Sequence, residues 1–173
     1  MDVKNNCANV NGSHGASKSC GYLGTDATAA MYRQQAEVLQ LPIWQASTAL
    51  YPSIYLPVQY IGQPVSVAAA YIESTVVESV KVAAMAAAGT SHEAATTPIP
   101  VFPYAWDHYH SGIHTLPKSS LVANLNVSMK SGATGLVWWG GSKQAENKSY
   151  WKWFENVEGP CVVEFCENLP GGC

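Results

Sequence analysis

Charge is what this chain has least of. Of its 173 residues 12% are charged, about half the usual share. The formal net charge is −3, so no basic face for nucleic acid is expected. A local basic groove on an acidic protein still leaves room for a polyanion. A membrane-spanning run is also missing. The uncharged stretch from Leu41 to Ile72 is interrupted by four prolines and many polar residues, whereas a spanning helix needs ~20 mostly apolar residues. The opening "MDVKNNCANV" lacks the apolar core of a signal peptide. There is no phosphate-binding glycine loop and no nucleophile elbow, which removes two common enzyme classes.

What is present is apolar and aromatic material. The chain is 47% hydrophobic, enough for a sizeable core. Five cysteines fall in polar terminal segments, a usage that fits disulfides of a secreted protein. Residues 1–25 read as a loop closed by Cys7 and Cys20. Asn11, Asn126 and Asn147 each begin an Asn-x-Ser sequon and are candidate glycosylation sites. An odd cysteine count in a secreted-type chain without a leader fits a piece of a longer protein.

Along the chain, helices and short apolar strands alternate. A helix is expected from Thr25 or Asp26 to Pro42, followed by a strand at "ALYPSIYLP". Val65, Ala69, Ile72, Val76, Val80 and Ala83 recur at three and four, which predicts a helix over 65–88. "IPVFPYAW" is a second strand, 118–131 a helix, "TGLVWWG" a third strand and 143–157 a last helix. From Gly159 the pattern predicts no regular structure. This alternation is that of α/β proteins with parallel βαβ units. A small doubly wound sheet and part of a (β/α)8 barrel both fit. Three strands are few for either, and a whole barrel needs ~250 residues.

In such folds chemistry gathers at the carboxyl ends of strands. That rule selects Ser53 and Tyr55, then Tyr104 to His110, then Trp139 to Ser142. Aromatic faces with hydroxyls suit a sugar; the plainer reading makes the same residues core and barrel rim. Asp107, His108, His110 and His114 could hold zinc, but the spacing has no specific metal pattern and a solvated histidine loop is expected. No metal and no cofactor is therefore assigned. A glycosidase normally needs a pair of carboxylates. Only Asp107 lies at a strand end, while Glu37, Glu73, Glu78 and Glu155 fall on helices.

Four motifs in order carry a family resemblance. "LPIWQASTALYPSIYLP", "VVESVKVA", "IPVFPYAWDHY" and "GATGLVWWGGS" closely resemble the hyaluronidases of glycoside hydrolase family 56. "EGP" sits where that family has a Gly-Pro after its last barrel helix. The resemblance runs from about Cys7 to Pro160. It implies a partial (β/α) TIM-like barrel of about three βα units over residues 1–160. Beyond it, residues 161–173 resemble the start of an EGF-like segment with Cys161, Cys166 and Cys173 of open pairing. It also implies hydrolysis of β-1,4 N-acetylhexosaminidic bonds in hyaluronan or chondroitin, with retention and help from the substrate's acetamido group. In that scheme Tyr55 and Trp139 match residues that hold the acetamido group. Ser53 and Tyr104 match residues lining the same site, and Ser142 matches a substrate-facing loop. A secreted or lysosomal setting and a glycosaminoglycan partner follow.

The departures are equally specific. The family's acid sits in an Asp-x-Glu motif, and none occurs in this sequence. The family's Phe-Pro-Asp-Cys-Tyr stretch is reduced to "NNCANV". Thr75 stands where many members carry an arginine. The chain by itself is therefore expected to be inactive, with the acid supplied upstream. A non-catalytic carbohydrate-binding relative is the alternative, and a metal hydrolase built on the histidine loop is the third reading. Part of a parallel barrel leaves open sheet edges, so self-association is also expected.

Overall fold

A computed structural model describes residues 46–88, 99–110, 114–140 and 146–169. The predicted helix before Pro42, the Cys7–Cys20 loop, Asn11, Ser142 and Cys173 lie outside the described residues. The elements run in order as follows: an extended segment at 50–57, a 3-10 turn at Val58–Tyr60, α1 (Val65–Ala88), β1 (Tyr104–Trp106), α2 (Lys118–Lys130), β2 (Val137–Trp139), α3 (Lys148–Trp153), a π turn (Phe154–Glu158) and α4 (Gly159–Glu167). β1 and β2 pair in parallel, with Tyr104 opposite Val137 and Trp106 opposite Trp139. The parallel βαβ expectation holds for both crossovers. The count of three full strands does not, because the first is reduced to isolated bridges.

The reason is Pro52. Leu50 bridges Val101 and Ser53 bridges Tyr104, both in parallel. The Leu50 N–H donates to Pro100 O at 2.9 Å, and the Leu50 carbonyl accepts from Phe102 at 2.8 Å. The next rung would need an N–H on residue 52, which proline lacks. The ladder resumes when the Pro52 carbonyl accepts from the Tyr104 N–H at 2.8 Å and the Ile54 N–H donates to Tyr104 O at 2.9 Å. One rung is lost and the segment stays in place. Further along, Pro57 bridges His110, so four residues on one side span six on the other. That is a bulge at the carboxyl end of β1.

Alternation puts Ile54 and Leu56 on the helix side, where both are fully buried with Ile72, Val76, Ala105, Leu116 and Leu121. A smaller cluster joins Leu50, Ala83 and Val101. α1 thus buries the predicted Ile72, Val76 and Ala83, while Val65 in its first turn is exposed. The Tyr71 hydroxyl donates to the Tyr55 carbonyl at 3.3 Å and ties α1 to the wall segment. Thr75 donates to its own helix at Tyr71 O, 2.9 Å away.

α2 ends on Gly132 with φ of 97°. The Ala133 N–H reaches Ser128 O and the Gly132 N–H reaches Met129 O, both at 3.1 Å, the paired bonds of a Schellman cap. A Cβ there would sit 3.4 Å from Val80 Cγ2, so the backbone, not crowding, is what demands glycine. Gly132→Ala is expected to lose about 1–2 kcal/mol, measurable as a shift in urea midpoint at unchanged m-value.

One sequence expectation is corrected at the carboxyl-terminal side. The stretch from Gly159, expected to be irregular, is α4. Within the described residues the last predicted helix begins at Lys148, and its expected start at 143–145 lies outside them. Asn147 caps α3 by accepting from the Ser149 N–H at 2.9 Å. Pro160 stands in the first turn of α4, directly after the π turn.

Candidate glycan-binding site

The other face of the alternation is the site. On the 50–57 segment that face carries Tyr51, Ser53 and Tyr55; on the 101–106 stretch, Phe102, Tyr104 and Trp106; on β2, Trp139. Parallel register places the Trp106 and Trp139 rings in a stack, 5.6 Å apart and 16° from parallel. Tyr55 leans on both, at 5.8 Å from Trp106 and 6.1 Å from Trp139, and also meets His110 at 5.8 Å. Tyr51 stacks on Phe102 and tilts against Tyr104, each at 5.8 Å. Tyr51 and Trp139 remain exposed, at 55% and 41%. The result is a continuous aromatic wall with one open side. Burial pushes the Tyr55 hydroxyl's pKa up; the Trp139 indole N–H opposes this and Tyr104 reinforces it. Tyr55 is therefore a neutral hydrogen-bonding group near neutral pH.

The structure brings together Tyr55, Trp139, Ser53 and Tyr104 on this face. The sequence rule also pointed to Trp106 within its second cluster, and register now makes it the backing of Trp139. The Trp106 Nε1–H has no partner among the described residues.

Behind the wall stands a polar group that joins Asp107 and His108, both named from the sequence, to Tyr150 and Glu158, which were not. Asp107 and His108 are buried, which corrects the expectation of a solvated histidine loop at those two positions, while His110 and His114 are exposed. Asp107 Oδ1 lies 2.7 Å from His108 Nδ1; a carboxylate only accepts, so the ring N–H is the donor. The Tyr150 hydroxyl donates to Asp107 Oδ2 at 2.6 Å. Burial first, then this bond, push the Tyr150 pKa far up. Glu158, in the π turn, is also buried and accepts from the Trp138 indole N–H at 2.5 Å. Burial and the nearby Asp107 raise its pKa to about 7, with the Trp138 bond opposing. A π turn inside a helical run often marks a functional position, but it is visible only in the structure, so no sequence signal singles out Glu158.

Among the described residues no cluster of His, Cys, Asp or Glu could hold a metal. Asn126 and Asn147 are exposed, while Ser128 of the Asn126 sequon is buried. Cys161 is a buried free thiol, held above its usual pKa by burial. Cys166 is disulfide-bonded. No helix of the described residues is long and apolar enough to cross a membrane.

The hyaluronidase family model matches residues 6–164. This chain belongs to the hyaluronidase family. It is 37% identical over 99 residues to hyaluronidase PH-20 of Macaca fascicularis, covering 57% of this chain and 18% of that protein. With a hyaluronidase of Crotalus adamanteus it shares 30% over 119 residues, covering 68% of this chain and 24% of that one. It thus spans about a quarter or less of these relatives' length. Two crystal structures of bee venom hyaluronidase share its fold with a TM-score of 0.62 each. The first, a monoclinic form, is 22% identical and the match covers 76% of this chain and 40% of that one. The second, bound to a hyaluronic acid tetramer, is 23% identical and the match covers 77% and 39%.

Proposed function

We propose that this chain forms one wall of a hyaluronidase-type site that takes hyaluronan or chondroitin. The open wall of Tyr55, Trp106 and Trp139 is the observation that carries the reading. Sugar rings stack on aromatic faces while their hydroxyls and amides meet polar tips. Tyr55 is placed to hydrogen-bond an N-acetyl group and Trp139 to pack on its methyl. Ser53 and Tyr104 line the same face, and Ser142, outside the described residues, is included by the family resemblance alone. In substrate-assisted hydrolysis the acetamido oxygen attacks the anomeric carbon, so the enzyme supplies an acid but no nucleophile.

That acid is absent from these residues, since no Asp-x-Glu occurs. The reading is therefore a family glycosidase in which this chain binds without cleaving. In it, residues 1–160 are the barrel part, and the cysteines from Cys161 open an EGF-like segment whose first residues continue the last helix. A secreted or lysosomal setting, with glycans on Asn126 and Asn147, accompanies it. The outer edge of β2 has no strand partner among the described residues, which favours self-association. A carbohydrate-binding relative without catalysis is the second reading, favoured by the same open wall.

The test is to incubate the purified chain with hyaluronan and with chondroitin and to measure new reducing ends. None are expected, while titration with hyaluronan oligosaccharides quenches tryptophan fluorescence. Turnover would overturn the inactive-fragment claim, and absence of binding would overturn the glycan site.

A further inference from the structure

The buried polar groups behind the wall have no part in the acetamido contacts proposed above, yet both sets end on it. Asp107 is 1% exposed with both oxygens engaged. The His108 ring it holds lies 5.6 Å from Tyr150 on one side and 5.7 Å from Trp106 on the other. Contacts thus run without a gap from α3 through Asp107 and His108 to the Trp106–Trp139 stack. A second run starts at Glu158, 3% exposed. Its Oε1 holds the Trp138 indole, and Trp138 precedes Trp139 in β2. Its Oε2 has no partner among the described residues. Buried carboxyl groups are costly, and apolar residues of similar volume often serve stability as well. Packing alone does not account for two of them at this spot.

We propose that Asp107 and Glu158 are positioning residues for the aromatic wall: through His108 and Trp138 they fix the orientation of the Trp106–Trp139 stack that a sugar ring meets. The inference rests on the glycan reading of that wall.

The charge state of the pair gives it a signature. Glu158 faces Asp107 at the end of β1, Tyr150 from α3, the Trp138 N–H from β2 and Cys161 from α4. Lys118 of α2 is occupied with Glu164 at 3.8 Å on the exposed side. Glu158's carboxyl, raised to about 7, keeps its proton on the acid side of that value. The native state then binds a proton that the unfolded chain has released, so its stabilisation fades as pH rises from the ordinary carboxyl range through about 7. Above it, a second negative charge stands beside Asp107 and bears on Asp107's hold of His108, while the Trp138 bond itself favours the charged carboxyl.

The experiment measures hyaluronan tetrasaccharide affinity by tryptophan quenching on both sides of pH 7. It compares the parent chain, Glu158→Gln, Tyr150→Phe and Trp139→Ala. The exciton circular dichroism of the stacked indoles is followed without ligand. The parent is expected to bind about threefold more weakly on the alkaline side, and its exciton signal to shrink in step. Glu158→Gln keeps shape and hydrogen bond without the charge, so its affinity and exciton signal should not change with pH. Tyr150→Phe should bind about threefold more weakly at both pH values. A pH profile of Glu158→Gln like the parent's, or a parent profile that is flat, overturns the positioning role. Trp139→Ala binding as tightly as the parent would instead overturn the glycan reading, and the inference with it.

Discussion

Replacing Trp139 with alanine is expected to weaken hyaluronan-oligosaccharide binding about thirtyfold, roughly 2 kcal/mol, the loss typical of a central aromatic anchor. Trp139 is the most exposed member of the packed trio with Tyr55 and Trp106. Its ring already lies against Trp106, so the free protein holds it in place and little side-chain entropy is lost on binding. Truncation removes the sugar's platform and leaves Tyr55 with Trp106 as its remaining indole neighbour. Isothermal titration would read the loss directly. Because Trp139 is solvent-facing, its removal should leave the unfolding midpoint nearly unchanged. A parent-like Kd would show that the sugar does not meet this ring.

The largest loss of stability is expected at Asp107. Asp107→Ala should lower unfolding free energy by about 3–5 kcal/mol, the range for breaking a buried charged contact on one side. The alanine leaves the Tyr150 hydroxyl and the His108 Nδ1–H in the interior without an acceptor. Unmade bonds of buried donors are costlier than made ones are stabilising. Tyr150→Phe, which removes only one donor, should lose about 1 kcal/mol. Urea titration of both variants separates the two magnitudes, and equal losses would show that the carboxyl is already solvated.

Much of the architecture could be read from spacing. The helix over 65–88 is legible because its apolar positions recur at helical period and Gly62 and Pro64 precede it. The helix over 118–130 is bracketed in the same way by Pro117 and Gly132. The wall residues Tyr55 and Trp139 could be found because polar aromatics at strand ends stand out against an apolar run. What could not be read depended on register and on helix geometry. Trp106 faces Trp139 only because β1 and β2 align without offset, and no local pattern states an offset. Asp107 and His108 look like loop residues until the bulge folds them inward. Glu158 precedes Gly-Pro, a pair that signals a helix end, yet the helical run continues from the π turn into α4 with Pro160 in its first turn. A residue expected at a solvated terminus is buried instead.

The pairing of 50–57 with 101–110 also sets a rule for lengths. Its bridges are keyed by counting: two prolines remove donors at fixed places, and four residues are matched against six at the bulge. Deleting one residue between Ser53 and Pro57 would turn part of the segment over, sending Tyr55 toward α1 and presenting Ile54 or Leu56 to the open side. A two-residue change would keep the faces but carry Tyr55 along the strand and away from Trp139. Side chains here can be exchanged one at a time, but the segment's length is fixed by its partner. Insertions are therefore expected to be tolerated beyond Pro57, at the exposed turn around Ile61 and Gly62, before they are tolerated within the wall.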